Sequence, residues 1–401
     1  MRILMLTPYL PYPPASGGQI RTYNLLKHLS KSHEITLVCL YKREEERQHA
    51  EQLRTYCKDI FLCKRPEKPW QLTTILKAIF GLLPFLIVRN YSPEAASTVQ
   101  KLLREQTFDV IHAETFYVMP HIPQTSIPTI LVDQTLEYRV YKHFISKLPW
   151  YLHHPLRLDT FKLKYWEEHY WNHAQLVAAV SKTDAEAIHM LAPNIKPVVI
   201  PNGASDDMFV EKPIIKNSEG VTNLLFVGNF AWLQNTEAAK YLIEEILPLL
   251  KNKLSNYRLT VAGQKIPDSF TNLKDTHIHC VDLEGSDNET VRDIYTNASI
   301  FVAPIFGPGG TRLKILTAMA THLPVVTTST GAEGLYLAHT ESVMLAEDPK
   351  GFVERIVALA NDQEMRERVA NNAYSIARTS FSWESITKTL VESYQSIINK
   401  H

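Results

Sequence analysis

The chain has 401 residues, enough for two domains of ordinary size. Hydrophobic residues make up 45% and charged residues 21%, with 14 Gly and 23 Pro, a globular mixture that excludes a disordered, collagen-like or disulfide-stapled chain. Forty-two Lys and Arg against 42 Asp and Glu cancel, so no global basic field exists to hold nucleic acid.

Short apolar runs rich in β-branched residues are the predicted strands. In chain order they are Arg2–Thr7, Glu34–Leu40, Asp109–His112, Thr129–Val132, Leu176–Ser181 and Val198–Ile200. A second set follows: Leu224–Gly228, Leu259–Ala262, Ile278–Val281, Ile300–Pro304, Val325–Thr328 and Val343–Leu345. Runs that are apolar throughout suit strands covered on both faces. Between them lie segments of helical spacing, such as Ile20–Leu29 and Glu237–Leu250. Strand and helix in alternation mean βαβ units and parallel sheets, so the fold class is α/β with doubly wound, Rossmann-like sheets. The alternation breaks near residues 201–223, a turn-rich stretch without periodicity. The expected domains are 1–203 and 204–380, with 381–401 as a C-terminal helix packing back toward the first.

The N-terminal apolar run is short and is followed at once by Pro8, Pro11, Pro13 and Pro14, which reads as a buried strand and not a signal peptide. Cys39, Cys57, Cys63 and Cys280 form no CxxC and no metal-ligand spacing, which points to a reducing, cytoplasmic compartment. The uncharged run Ala78–Val88 is interrupted by Pro84 and falls short of the roughly 20 residues a membrane span needs. It reads as a buried helix, or, with Trp70, Lys68, Lys77 and Arg89 around it, as a peripheral membrane contact over residues 70–92.

In open parallel sheets ligands bind beyond the carboxyl ends of the strands, and two of those loops stand out. After the first strand, Gly17-Gly18-Gln19 enters a helix, where glycine lets the backbone approach a ligand closely. It is not a GxGxxG, so dinucleotide binding is not expected. The second loop is Gly307-Pro308-Gly309-Gly310-Thr311-Arg312-Leu313-Lys314, with Thr311 as expected N-cap and two cations in the opening turn. Cations there oppose the helix dipole, and a bound anion would reverse that sign. No Walker A pattern is present.

Together these residues resemble the GT-B glycosyltransferases of glycosyltransferase family 4, in the Gly-Gly-x-Thr-Arg-Leu-Lys subgroup. The resemblance spans the chain: Gly17-Gly18, Asp109-Val110-Ile111-His112, Val180-Ser181, Pro201-Asn202-Gly203, Phe226-Val227-Gly228, Gly309 to Leu316, Pro324-Val325-Val326 and Gly331-Ala332-Glu333-Gly334. It implies two Rossmann-like domains facing across a cleft, and retaining transfer of a sugar from a nucleotide-diphosphate sugar to an acceptor hydroxyl of a polysaccharide, glycolipid or small metabolite. It implies no metal and no other cofactor. By residue, it implies catalytic roles for Arg312, Lys314, Asp133 and Glu333. Donor binding falls to Gly228, Asn229, Gly309, Gly310, Thr311, Thr317, Asp282 and Leu283, and the acceptor side to Gly17, Gly18, Gln19, His112 and Glu137.

The chain departs from that family in places. Thr317 stands where a ribose-binding Glu is usual, and a hydroxyl cannot offer a bidentate carboxylate. Asn229 and Gln234 stand where an Arg and a Lys often grip the diphosphate. Asp133 and Glu137 lie in a loop where related enzymes often carry a His; they orient hydroxyls or cap the next helix. The alternative expectation is therefore a protein of the same fold that binds sugar nucleotides without turnover. A GT-B epimerase or phosphorylase ranks last.

Overall fold

The computed structural model describes residues 1–68, 70–146, 148–149, 153–211, 220–285, 287–307 and 312–399. Gly309, Gly310 and Thr311, read above as part of an anion loop, lie outside these residues. The chain divides into two compact units, Met1–Asn202 with Ile386–His401, and Gly203–Ser385.

The first unit is built on a seven-stranded sheet. Its strands are β1 (Arg2–Thr7), β2 (Glu34–Tyr41), β3 (Asp59–Lys64), β4 (Val110–Glu114), β5 (Thr129–Asp133), β6 (Leu176–Ala179) and β7 (Val198–Val199). Their order is β3-β2-β1-β4-β5-β6-β7, and every pairing is parallel. All five residues of β4 and of β5 are buried, as strands covered by helices on both faces must be. Leu4, Leu6, Ile111, Leu131 and Trp171 share one core, and full burial of such a side chain contributes about 1.5–3 kcal/mol. β3 was not among the predicted strands. It lies at the sheet edge, where only Cys63 is buried, so its sequence lacks the continuous apolar run of its neighbours.

The second unit repeats the plan with six strands: β8 (Thr222–Asn229), β9 (Tyr257–Gln264), β10 (Ile278–Asp282), β11 (Ile300–Ala303), β12 (Val325–Thr327) and β13 (Met344–Leu345). The order is β10-β9-β8-β11-β12-β13, again all parallel. Each order reverses between its first and fourth strands, and a doubly wound sheet opens its ligand crevice at that switch point. In the second unit that crevice lies beyond the ends of β8 and β11. The predicted Glu237–Leu250 helix is three pieces: Leu233–Tyr241, a π-helical stretch Leu242–Ile246, and Leu247–Leu250 with Pro248 in its first turn.

Two glycines bring the ends of β8 and β9 together on one side of the crevice. Register pairs Gly228 of β8 with Gly263 of β9, and Gly263 with Asp282 of β10. Gly263 has φ +151°, and a Cβ there would lie 1.7 Å from the Gly228 carbonyl oxygen. Only glycine lets these strand ends approach so closely.

Candidate active site

In the second unit the helix Leu313–Ala320 begins one residue later than an N-cap at Thr311 would place it, with Arg312 at the cap position and no side-chain cap bond. Lys314 therefore sits in the first turn and Arg312 just ahead of it. Arg312 Nη2 donates to the Gly307 carbonyl. Lys314 Nζ donates to Asn235 Oδ1 and stands 5.0 Å from the centroid of the Phe226 ring. Asn235 Nδ2 in turn donates to the Asn229 carbonyl at 2.7 Å, and Asn229 Nδ2 to Gln264 Oε1 at 3.0 Å. A chain of neutral amides thus occupies the ends of β8 and β9.

The electrostatics of Lys314 follow from this setting. Burial, reinforced by the Arg312 charge, pushes its ammonium down to about 7. Among the described residues no carboxylate neutralises it. A cation held half-dry at a helix N-terminus, beside a second cation, is set up for an anion that supplies the missing charge.

The other residues of this unit assigned to donor binding, and Glu333, assigned to catalysis, lie around the same strand ends or just behind them. Asp282 ends β10, is exposed, and accepts from the Glu284 N–H at 2.9 Å; Leu283 is buried behind it. Thr317 Oγ1 donates back to the Leu313 carbonyl at 3.0 Å and lies beside Tyr295. Glu333 is half-buried in the loop after β12, next to Gly334 at φ +77°. That loop is fastened by the Gly331 N–H to Thr328 Oγ1 at 2.9 Å.

The carboxyl edge of the first unit carries a separate polar cluster. The helix Gly17–Leu29 is capped by Ser16, and Gln19 completes the capping box: Gln19 Oε1 accepts from the Ser16 N–H at 3.1 Å and its Nε2 donates to the Leu10 carbonyl at 3.0 Å. A Cβ on Gly18 would lie 2.1 Å from the Tyr9 hydroxyl and 2.8 Å from Gln134 Oε1. Glycine here lets the loops after β1 and β5 meet.

Beneath that contact lies a network that sequence reading captured only at His112. His112 is fully buried, its Nε2 2.9 Å from Glu114 Oε1 and its Nδ1 2.5 Å from the Tyr394 hydroxyl. Glu114 also accepts from Arg21 Nε at 3.3 Å and from Gln134 Nε2 at 2.6 Å. Arg21 Nη1 donates to the Ile200 and Pro201 carbonyls and to Asn202 Oδ1 at 2.9–3.1 Å. Burial pushes the Glu114 carboxyl up, but the Arg21 charge and the His112 and Gln134 hydrogen bonds outweigh it and hold the carboxyl at about 2. The available signal was Glu114 two residues after His112 on one strand, hence on one face.

Asp133 is buried, with one oxygen accepting from the Phe116 N–H at 3.2 Å and the other from the Trp171 indole. Burial raises it to about 7 and Glu137 likewise to about 7. The opening N–H groups of the helix Glu137–Ser146 go to Glu167, whose carboxylate accepts from Glu137 at 2.7 Å and Tyr138 at 3.1 Å. Glu167 lies within the helix His153–His173 and gave no local signal of this contact.

Residues 15–207 match the family model described as Glycosyltransferase Family 4, and residues 221–362 the one described as Glycosyl transferases group 1. An "Uncharacterized 44.6 kDa protein in cps region" of Klebsiella pneumoniae is 23% identical over 97% of this chain and 98% of its own. Sucrose-phosphate synthase from Thermosynechococcus elongatus superposes with TM-score 0.72 at 15% identity, covering 100% of both chains. Anabaena Alr3699/HepE, solved in complex with UDP, gives TM-score 0.67 at 14% identity over 99% of this chain and 100% of that one. The fold is therefore GT-B, and the chain matches the Glycosyltransferase Family 4 model in its first half and the Glycosyl transferases group 1 model in its second.

Proposed function

We propose that the protein moves a sugar, with retention at the anomeric carbon, from a nucleotide-diphosphate sugar to an acceptor hydroxyl. The observation that carries this is Lys314, a desolvated cation without a carboxylate partner among the described residues, at the switch-point crevice of the second unit. The diphosphate is the anion it lacks. As the glycosidic bond lengthens, negative charge gathers on the departing phosphate, and Lys314 and Arg312 stabilise it more strongly than in the ground state. The departing phosphate itself takes the acceptor hydroxyl's proton as that oxygen attacks. The reading needs no metal, because the two cations supply the countercharge. HepE, the neighbour solved with UDP and with UDP-glucose, suggests a uridine donor of hexosyl type. The acceptor would be held on the first unit near Gly18, Gln134 and Glu137. The four free thiols support a cytoplasmic site, and residues 70–92 are the segment we assign to peripheral membrane contact.

The test is incubation with a panel of nucleotide-diphosphate sugars. Slow release of nucleoside diphosphate from one donor, giving the α-configured sugar from an α-configured donor, is the expected outcome. Loss of a charged hydrogen bond in Arg312→Ala weakens donor binding by about 1.5–3 kcal/mol. Thr317 in place of the usual Glu, with amides at Asn229 and Gln234, favours a second reading: donor binding without turnover. Calorimetric binding with no nucleotide release, even with acceptor extracts, selects that reading over the first.

A further inference from the structure

Most of the exposed large apolar side chains described in the first unit lie on two segments. The helix Leu72–Phe80 and its flanks expose Trp70 (73%), Leu72 (71%), Ile79 (60%), Phe80 (82%) and Leu82 (84%). The helix His153–His173 exposes Leu158 (68%), Phe161 (72%) and Tyr165 (57%), at the spacing of a single helix face. The two are fastened together. Lys162 Nζ donates to the Ala78 and Gly81 carbonyls at 2.8 and 2.7 Å, and Trp166 Nε1 to the Leu82 carbonyl at 3.0 Å. Lys162 and Trp166 lie on the turns that also carry Leu158, Phe161 and Tyr165, so the exposed side chains of both segments flank one seam. A contiguous apolar surface of this kind is not left to water without a use.

Its charge identifies the occupant. Residues 68–92 and 139–164 contain nine Lys and Arg (Lys68, Lys77, Arg89, Arg139, Lys142, Lys147, Arg157, Lys162 and Lys164) and one acid, Asp159. In a chain whose 42 bases and 42 acids cancel, the remainder is therefore acidic by eight. The neutral total conceals a molecule with one strongly basic, apolar region. Large apolar side chains on segments rich in cations, of which Lys162 is tied to the Ala78 and Gly81 carbonyls and Lys164 is paired with Glu168 at 3.5 Å, match a bilayer bearing anionic headgroups, where the rings and aliphatic chains enter the interface and the remaining cations meet phosphate. Among the described residues no helix is long and apolar enough to cross a membrane, so the contact is with one leaflet.

We propose that this two-helix face, Leu72–Leu82 together with Leu158–Tyr165, is a docking surface for an anionic lipid bilayer. It extends the contact assigned to residues 70–92 by a second helix and a lipid charge, and it does not depend on the transferase reading. Both segments lie in connections that leave the carboxyl edge of the sheet, after β3 and after β5, so docking brings that edge to the bilayer surface.

The experiment is sedimentation of the full chain with vesicles of phosphatidylcholine alone or mixed with phosphatidylglycerol, at low and high salt. Binding to the mixed vesicles, weakened by salt and by on the order of fivefold for each cation replaced, is expected. The paired variants Phe80→Glu/Leu82→Glu and Leu158→Glu/Phe161→Glu alter only exposed side chains. Each is expected to lose vesicle binding while keeping the melting temperature and the donor affinity of the parent, so failure here and failure of the transferase reading are read separately. Three results overturn the proposal: no binding to mixed vesicles, equal binding to phosphatidylcholine alone, or a dimer in sedimentation velocity that either pair dissociates. The last would assign the face to a second copy of the chain.

Discussion

Replacing Lys314 with methionine separates what the side chain does for the fold from what it does for the ligand. Methionine keeps the length and lies as easily against Phe226, but removes the charge. Lys314 is displaced from an ordinary 10.5 to about 7, and each unit is worth about 1.4 kcal/mol. A fully dry site would therefore cost the fold on the order of 5 kcal/mol at low pH; water reaches this half-buried side chain, which leaves about 1–3 kcal/mol. The folded chain binds fewer protons than the unfolded one between pH 7 and 10.5, so its stability rises with pH across that window, and the whole penalty is present below pH 7. Lys314→Met without ligand should thus melt several degrees higher at pH 6, at about 2–4 °C per kcal/mol, and lose the pH-dependent rise. The donor reports the opposite sign. A diphosphate diester does not titrate here, so its binding recharges whatever fraction of Lys314 is neutral and takes up that fraction of a proton, more at pH 7.5 than at pH 6. Titration calorimetry in buffers of different ionisation enthalpy measures that number directly. Proton uptake that does not rise with pH, or uptake that survives Lys314→Met, would refute the assignment of Lys314 to the diphosphate.

Two further substitutions test the scaffold. Glu114→Gln leaves Arg21 buried without its countercharge and should cost about 3–5 kcal/mol, read by urea unfolding. The carboxyl held at about 2 also stabilises the first unit above its unfolded value of about 4.3 and loses that contribution as pH falls toward 2, so the acid transition should be steeper in the parent than in the variant. Gly263→Ala drives a methyl to within 1.7 Å of the Gly228 carbonyl oxygen. It should destabilise the second unit by about 3 kcal/mol or more, with donor binding lost in proportion; a melting temperature unchanged by this substitution would remove the argument for the close approach of β8 and β9.

How much of this was legible in the sequence depends on where the information lies along the chain. Strands buried on both faces announce themselves as apolar runs, so twelve of the thirteen strands among the described residues were placed to within a residue or two. The edge strand β3 was missed because half of what it touches is solvent. The cationic turn was visible as Arg312 and Lys314, but the desolvation of Lys314 was not. It comes from Asn235 and Phe226, brought to it by β8 and its following helix from far earlier in the chain. The same holds for Glu114, whose partner Arg21 stands 93 positions before it, and for His112, whose partner Tyr394 stands near the far end of the chain. Glu137 and Glu167 show the limit most plainly, since a carboxylate from one helix occupies the amide groups that open another, and nothing local records it.

Glu114 has one more implication. Through Arg21 it holds the stretch where the chain leaves the first unit, and through His112 and Tyr394 the helix by which it returns. On the other side, Ala204 and Ser382 form a parallel bridge, so entry and exit of the second unit are stitched side by side. The second unit is thus an insertion in the chain of the first, and the segments that lead out to it and back from it are tied to a single carboxylate. An insertion anchored in this way can be exchanged without rethreading the scaffold that receives it.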